Sequence, residues 1–544
     1  MAMSQPFDSP TIISSASSAV TRRQRGRIAR SASTVALATG LSRLLGFARD
    51  IAIATLFGTT IEAQAFVVAF RLPNLLRDLV AEGAVTSAFV PVLSWYRAKG
   101  MMEEFWRLSQ ALFARLLVFL VVVGLIGSIA APYIVHVVAP GFAAHPEQFE
   151  LTVRLTRILF PFITLVGLWA YFMGLLNSLD HFAVPALGPA ILNVAMIAAC
   201  VWWVPRAHPG VVALAFGVIV GGIVQLAVQI PPAMRRGFTW RLRWRHDGSR
   251  DVVRLLGPRL LGSAVYQASV MVDTALASLG SIVGVGAVAA LYFANRLVQL
   301  PLALFGTATA QASLPTLAEQ AAHHDLAAFR STMLAVIRMV GFVIFPSSIG
   351  LAVLAFPIVG GLFERGAFDQ HSTRMTAQAL SCYAFGLMAF SLSKVLTGAF
   401  YALRDTRTPV RLAIEAVVVN ILLSVAMMWP LKVSGLALAA ALSNTLNAVR
   451  LLRHLERRLG ASLLQPVRAP LLRIGLASLI MGAACWMLWH ALLDVSSRVR
   501  LLVVIVIGGA IYVGVCRLLR VQELSTVLRW MLNTVTPARP CPNA

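Results

Sequence analysis

The stretch Ser42-Arg43-Leu44-Leu45-Gly46-Phe47-Ala48-Arg49-Asp50, followed by Phe70-Arg71-Leu72-Pro73-Asn74-Leu75-Leu76-Arg77-Asp78-Leu79-Val80-Ala81-Glu82-Gly83, sets charges into sequence otherwise apolar enough for a bilayer. An ionised side chain at bilayer depth is costly unless it snorkels, pairs or faces an aqueous cavity, so such residues mark functional sites. The stretch reads as one wall of an anion-binding cavity.

The rest of the chain supports a membrane setting. Of its 544 residues 58% are hydrophobic and only 12% charged, with a mean hydropathy of +0.79. Apolar runs near the twenty residues needed to cross a bilayer recur throughout. They predict an all-α polytopic membrane protein of fourteen transmembrane helices, near 33–57, 64–95, 109–137, 152–178, 182–204, 210–232, 252–279, 283–315, 329–361, 375–402, 408–429, 433–453, 470–491 and 498–520. The formal charge of +24 would suggest nucleic acid in a soluble domain, but the arginines lie mainly in short loops between apolar runs. Nucleic acid is therefore not an expected partner.

Charge also sets the expected orientation. Arg235, Arg236, Arg241, Arg243, Arg245 and Arg250 share the loop after the sixth helix, and Arg450, Arg453, Arg457, Arg458 and Arg468 surround the turn after the twelfth. Loops 58–63, 138–151 and 280–284 contain no Lys or Arg, although Arg365 and Arg374 break the pattern. The positive-inside rule places both termini in the cytoplasm. The Ser-rich start, ending in Arg22, Arg23, Arg25, Arg27 and Arg30, reads as a disordered basic arm over 1–32 with no cleaved signal. Five separated cysteines, four of them inside apolar runs, read as small core residues.

An internal repeat organises the helices. Gly174, Leu179 and Pro185 recur as Gly398, Leu403 and Pro409; Pro91 and Leu93 recur as Pro315 and Leu317; Phe70-Arg71-Leu72 matches Asn295-Arg296-Leu297 within one residue of the same spacing. Six helices separate the copies, which makes helices 1–6 and 7–12 parallel repeats. The expected domains are an N-terminal lobe over 33–232, a basic cytoplasmic linker over 233–251, a C-terminal lobe over 252–453, two added helices over 454–520 and a cytoplasmic tail over 521–544.

Candidate ligands follow from the charges. In the first helix Arg43 and Asp50 share a face and Arg49 projects about 100° away. In the second, Arg71, Asn74 and Asp78 share a face, and Pro73 is expected to kink or break the helix beside them. Arg77 and Glu82 follow, and Arg296 and Lys394 come from the second repeat. Six cations against Asp50, Asp78 and Glu82 predict a net positive cavity, suited to a phosphate or diphosphate through arginine forks. Asp273, Asn420, Ser443 and Asn444 either hold a hard cation or join helices as polar glue. There is no phosphate-binding Gly-x4-Gly-Lys-Ser/Thr loop, so transport would draw on a sodium ion or the membrane potential.

Ser42-Arg43 through Arg49-Asp50, the run Phe70-Arg71-Leu72-Pro73-Asn74-Leu75-Leu76-Arg77, then Ala81-Glu82-Gly83-Ala84 and Ala88-Phe89-Val90-Pro91 resemble the MurJ (MviN) family of lipid II flippases, within the multidrug/oligosaccharidyl-lipid/polysaccharide exporter superfamily. The resemblance runs from about residue 33 to about 520. It implies two six-helix lobes, a groove beside helices 13 and 14 for an undecaprenyl tail, and a bacterial inner-membrane location. Lipid II would be the substrate, with membrane lipids and the cell-wall synthesis machinery as partners. By motif, functional arginines would be Arg43, Arg49, Arg77 and Arg296, with Arg71 where lysine is common, and Asp273 and Asn420 become sodium-site candidates with Asn444.

The chain departs from that family at three positions. Gln64 stands in Ala63-Gln64-Ala65-Phe66 where Thr-Asp-Ala-Phe is frequent, and Asn295 and Gln299 replace acidic residues flanking Arg296. Three carboxylates become amides of similar size. The alternatives are a flippase for another lipid-linked glycan, a drug exporter of the same superfamily, or a non-transporting paralogue acting as a scaffold.

Overall fold

The computed structural model describes residues 35, 37–79, 85–241, 243, 244, 246, 248, 249, 252, 267–492 and 496–525; the side chains of 76–79 and 85–88 are not among those described. The described residues form helices and connecting turns with no strand. In the first half these are α1 (37–57), α2 (Ile61–Leu79), α3 (Val85–Ala98), α4 (Met102–Ile129), α5 (Ala131–Val138), α6 (Pro146–Leu159), α7 (Phe162–Ser178), α8 (Ala183–Trp202), α9 (Gly210–Ala227) and α10 (Ile230–Arg235). The second half contains α11 (267–277), α12 (Gly280–Val283), α13 (Ala287–Pro301), α14 (Ala308–Ala322), α15 (Leu326–Val353), α16 (Ala355–Phe363), α17 (Gln370–Phe385), α18 (Leu387–Ala402), α19 (Arg407–Leu431), α20 (Val433–Leu459), α21 (Leu464–Ala491) and α22 (Ser497–Leu518).

Ten helical runs among the described residues are long and apolar enough to cross a membrane, and α17 with α18, bent by 45°, makes an eleventh. The other three expected spans fall on α1, on α2 with α3, and on α11, each bordered by residues outside the description. The protein is a multi-pass, all-helical membrane protein, consistent with fourteen spans.

The repeat is carried to the residue. α4 begins and ends at 102 and 129, α15 at 326 and 353; α6 begins at 146 and α17 at 370; α7 ends at 178 and α18 at 402; α8 begins at 183 and α19 at 407, an offset of 224 each time. Backbone conformation repeats too: Asp180 and Arg404, at the same offset, take left-handed φ values of 57° and 58°. Left-handed backbone is uncommon outside glycine, so its recurrence at matched positions is independent of apolar patterning.

Chain contacts define two compact units that differ from the sequence repeats. Of the described residues, one unit holds those up to 49, 73–128 and 158–252; the other holds 50–72, 129–157 and those from 267 onward. In the first unit an aromatic cluster packs Phe113 against Tyr171, Phe172, Phe238 and Trp240, and the buried Tyr171 hydroxyl reaches the Ser109 hydroxyl at 2.6 Å. In the second, α21 and α22 pack onto α15 through Phe342, Ile474, Met481, Val504 and Tyr512, and the Tyr512 hydroxyl donates to the Phe342 carbonyl at 2.5 Å.

Three expectations are corrected or bounded. Pro73 does not end its helix: α2 continues through it to Leu79. The lost backbone hydrogen bond is one among many in a helix whose Phe66, Ala69, Leu72 and Leu75 are all buried. Conversely, the single helix expected over 283–315 contains a wider turn over Leu302–Thr307, just after Pro301. The arm over 1–32, Cys541 and most of the tail lie outside the described residues, whereas Cys200, Cys485 and Cys516 are buried and Cys382 is partly buried, all as free thiols.

Candidate substrate-binding site

α1 presents its last arginine and its aspartate to different partners. Arg49 is buried, and its Nη1 donates to Asn193 Oδ1 at 2.9 Å. The same Asn193 donates from Nδ2 to the Ser42 carbonyl at 2.9 Å, spanning two turns of α1. Gly46 lies between those points, and a methyl there would stand 3.3 Å from Asn193 Nδ2, so a small residue is needed for the amide to reach in. Arg43 is exposed, one face away from this contact.

Asp50 belongs to the second unit and is 2% exposed. Its Oδ1 accepts from the Tyr292 hydroxyl at 3.1 Å, and its Oδ2 lies 3.4 Å from Arg296 Nε. Arg296 Nη2 donates to the same Tyr292 hydroxyl at 3.1 Å, and the guanidinium sits 4.8 Å from the tyrosine ring centre. Tyr292 and Arg296 are four residues apart on α13, so one helical turn sets both around the carboxylate. The Arg296 side chain remains 40% exposed. It is an arginine oriented by a buried anion and still reachable from outside the protein.

Further along α2, Arg71 Nη1 donates to Thr274 Oγ1 on α11. Arg71, Asp273, Thr274, Asn295 and Tyr383 line a cavity of about 40 Å³. That volume suits water or a small ion and is too small for a diphosphate. Asn420 Nδ2 donates to Asp273 Oδ1 at 2.7 Å, and Ser443 Oγ donates to Asn420 Oδ1 at 3.4 Å. These are oxygen-bearing side chains of the kind a hard cation takes, but Asn420 meets the carboxylate with its nitrogen. Asn444 turns its Nδ2 to the Ala440 carbonyl of its own helix at 3.0 Å. No cluster of three or more His, Cys, Asp or Glu placed to hold a metal occurs among the described residues.

The remaining candidates divide. Lys394 Nζ donates to Thr307 Oγ1 at 3.1 Å, in the wide turn after α13. Asn74 Oδ1 is buried and meets no donor among the described residues. Gln64 is buried and Gln299 half-buried. The side chains of Arg77 and Asp78, and all of Glu82, lie outside the description. Sequence reasoning missed Asn193, Tyr292 and Thr274. Tyr292 was discoverable from its four-residue spacing to Arg296; a lone Asn in the apolar α8 was the weaker signal for Asn193.

The family described as "Lipid II flippase MurJ" matches residues 53–504. The chain belongs to the MurJ family. A relative named probable lipid II flippase MurJ from Haemophilus influenzae is 34% identical over 88% of this chain and 96% of its own length. Lipid II flippase MurJ from Burkholderia cenocepacia is 36% identical over 78% of this chain and 83% of its own. Among solved structures, "Lipid II flippase MurJ, inward closed conformation" matches with a TM-score of 0.75, covering 89% of this chain and 98% of that one at 24% identity. An inward-facing multidrug resistance MATE family transporter of the MOP superfamily matches with a TM-score of 0.63 at 15% identity, over 77% of this chain and 94% of its own. The MurJ assignment makes this protein a membrane transporter and not an enzyme.

Proposed function

We propose that this protein moves lipid II, an undecaprenyl-diphosphate-linked peptidoglycan precursor, from the cytoplasmic to the periplasmic leaflet of a bacterial inner membrane by alternating access. The observation that carries the site is Arg296, held by Asp50 and Tyr292 yet 40% exposed. A guanidinium fixed in this way binds a phosphate oxygen pair without first losing its own rotamer freedom. Arg43 and Arg77 are further proposed diphosphate ligands, Arg49 and Arg71 are proposed to add positive potential from their places against Asn193 and Thr274, and the apolar faces of α21 and α22 are a proposed docking surface for the polyprenyl tail. In this reading both termini are cytoplasmic. Coupling is assigned to sodium near Asp273, Asn420 and Ser443, or to membrane potential. The potential opposes outward movement of an anion but returns an empty positive site inward, at about 2.3 kcal/mol per charge per 100 mV.

Complementation of a bacterium depleted of its own lipid II flippase tests the proposal. Wild type restores growth, and Arg296→Ala at equal membrane abundance does not. Full rescue by Arg296→Ala would overturn the assigned role of Arg296. A second reading, transport of another lipid-linked glycan, is favoured by Asn295, an amide lining the cavity with Arg71 and Asp273. Rescue only by a Gln64→Asp, Asn295→Asp, Gln299→Glu triple variant would support it.

A further inference from the structure

A cavity of about 260 Å³ opens between the first turns of α19 and the last turns of α20, lined by Thr408, Arg411, Leu412, Glu415, Arg450 and His454. None of these residues belongs to the substrate machinery described above. The outer face of α19 fixes the depth of this cavity. From Ile414 onward, Val418, Leu422, Val425 and Trp429 are all exposed and apolar, stepping by three or four residues. An exposed apolar stripe of that length on a spanning helix faces hydrocarbon, and Arg411 lies one turn before it begins. The cavity therefore stands at headgroup level, open to lipid.

Its charge is cationic. Glu415 is the one carboxylate among the lining residues, and it serves two arginines: Arg411 Nε at 3.2 Å from Oε1, and Arg450 Nη1 on Oε2. One anion between two guanidinium groups leaves a net positive charge and, among the described residues, most of their donors uncommitted. Arg411 is 83% exposed and Arg450 is 41% exposed. His454 Nδ1 donates to the Arg450 carbonyl at 2.9 Å, which seats its ring on the cavity wall.

The first repeat provides an internal comparison. At the 224-residue offset, Arg411, Glu415, Arg450 and His454 correspond to Leu187, Ile191, Leu226 and Ile230. The topology alone is content with apolar residues at all four places. The charges are a property of this helix pair and not of the repeat.

We infer that the cleft between α19 and α20 is a binding site for a phosphate group, supplied by the headgroup of an anionic phospholipid. Basic pockets between membrane helices at headgroup depth bind such lipids. Free phosphate offers the same chemistry, and the experiment separates the two sources. The full-length protein in mixed micelles is incubated with phosphatidylglycerol, phosphatidylcholine or inorganic phosphate, and retained lipid is counted by native mass spectrometry alongside thermal unfolding. Wild type retains phosphatidylglycerol in preference to phosphatidylcholine. Arg411→Gln, at a largely exposed position that spares the fold, loses about fivefold in that retention, and Arg411→Gln with Arg450→Gln loses about fivefold again. Glu415→Gln, which removes the competing carboxylate, increases it. Equal retention of the two lipids by wild type, or unchanged preference in a folded double variant, would overturn the site. Protection by inorganic phosphate without phosphatidylglycerol preference would overturn the lipid assignment and make the free anion the ligand.

Discussion

Arg296 owes its orientation to two groups and its usefulness to the part they leave uncovered. Removing Asp50 and removing Arg296 are therefore different injuries. Asp50→Asn keeps a hydrogen-bond acceptor for Tyr292 and loses the anion that fixes the guanidinium; complementation should weaken without vanishing, while Arg296→Lys, lacking the planar fork, should fail more severely. Arg296→Ala takes the guanidinium from a carboxylate that is 2% exposed, so its cost approaches the about 3–5 kcal/mol of a broken buried pair, tempered by the Tyr292 hydroxyl that still donates to Asp50. Asn193 is a different case. Asn193→Leu removes the amide that accepts from the buried Arg49 guanidinium and donates to the Ser42 carbonyl, and should lower the unfolding temperature by an amount corresponding to about 1–3 kcal/mol, measured in detergent. The sequence showed the arginines because charge in an apolar run is conspicuous. It hid Asn193 and Tyr292 because an uncharged polar residue in a membrane helix is ordinary, and only packing reveals what it faces.

At the scale of elements, equivalent positions in the two repeats have different tolerances. A methyl on Gly174 would stand 2.8 Å from the Phe89 ring, whereas nothing among the described residues lies within 4 Å of one on Gly398. Gly174→Ala should destabilise by about 1–3 kcal/mol, and Gly398→Ala should be neutral or stabilising by up to about 1 kcal/mol through helix propensity; thermal unfolding of the two variants separates them. Helix caps add a pH dependence. Asp405 accepts from the backbone N–H of Arg407 and Thr408, the Thr408 hydroxyl and the Arg458 guanidinium at 2.8–3.1 Å. Burial pushes its carboxyl upward, but those donors outweigh it and hold it below its ordinary value. A depressed native pKa gives stability that is complete above the unfolded value, about 3.9, and is lost as pH falls below it. Asp405→Ala should thus cost about 1 kcal/mol at neutral pH, with the difference from wild type shrinking in acid melts below about pH 4. The spans and the repeat were legible because apolar length and a fixed offset survive in sequence. The internal bends were not: the 45° turn at Gly386 accompanies a close approach to Ala441, 2.7 Å from a methyl at that glycine, and no local signal announces such a neighbour.

In the whole molecule, the second compact unit joins parts of both repeats. Thr55 accepts from the Ala367 N–H at 2.9 Å, the Thr59 and Ser372 hydroxyls meet at 2.8 Å, and the Gly141 N–H donates to Ser278 Oγ at 3.0 Å. Gly58 and Gly366 take left-handed φ values of 54° and 57°, and a methyl on either would fall 2.2–2.3 Å from the carbonyl of Ala367 or Thr55. Those backbones touch because neither has a side chain. Residues 1–240 and 241–544, produced together as separate chains with a tag on one, should therefore co-purify, and Gly58→Val should abolish the association while leaving each half membrane-inserted.

That expectation bears on ancestry. A segment with an even number of spans enters the membrane the same way round each time it is copied, so a gene encoding half of this chain could be duplicated and fused without inverting its second product. Before fusion, such a half would have served as a self-pairing dimer, with identical surfaces obliged to meet one another. Fusion would release them from that identity, and Leu187, Ile191, Leu226 and Ile230 set beside Arg411, Glu415, Arg450 and His454 measure how far the two repeats differ.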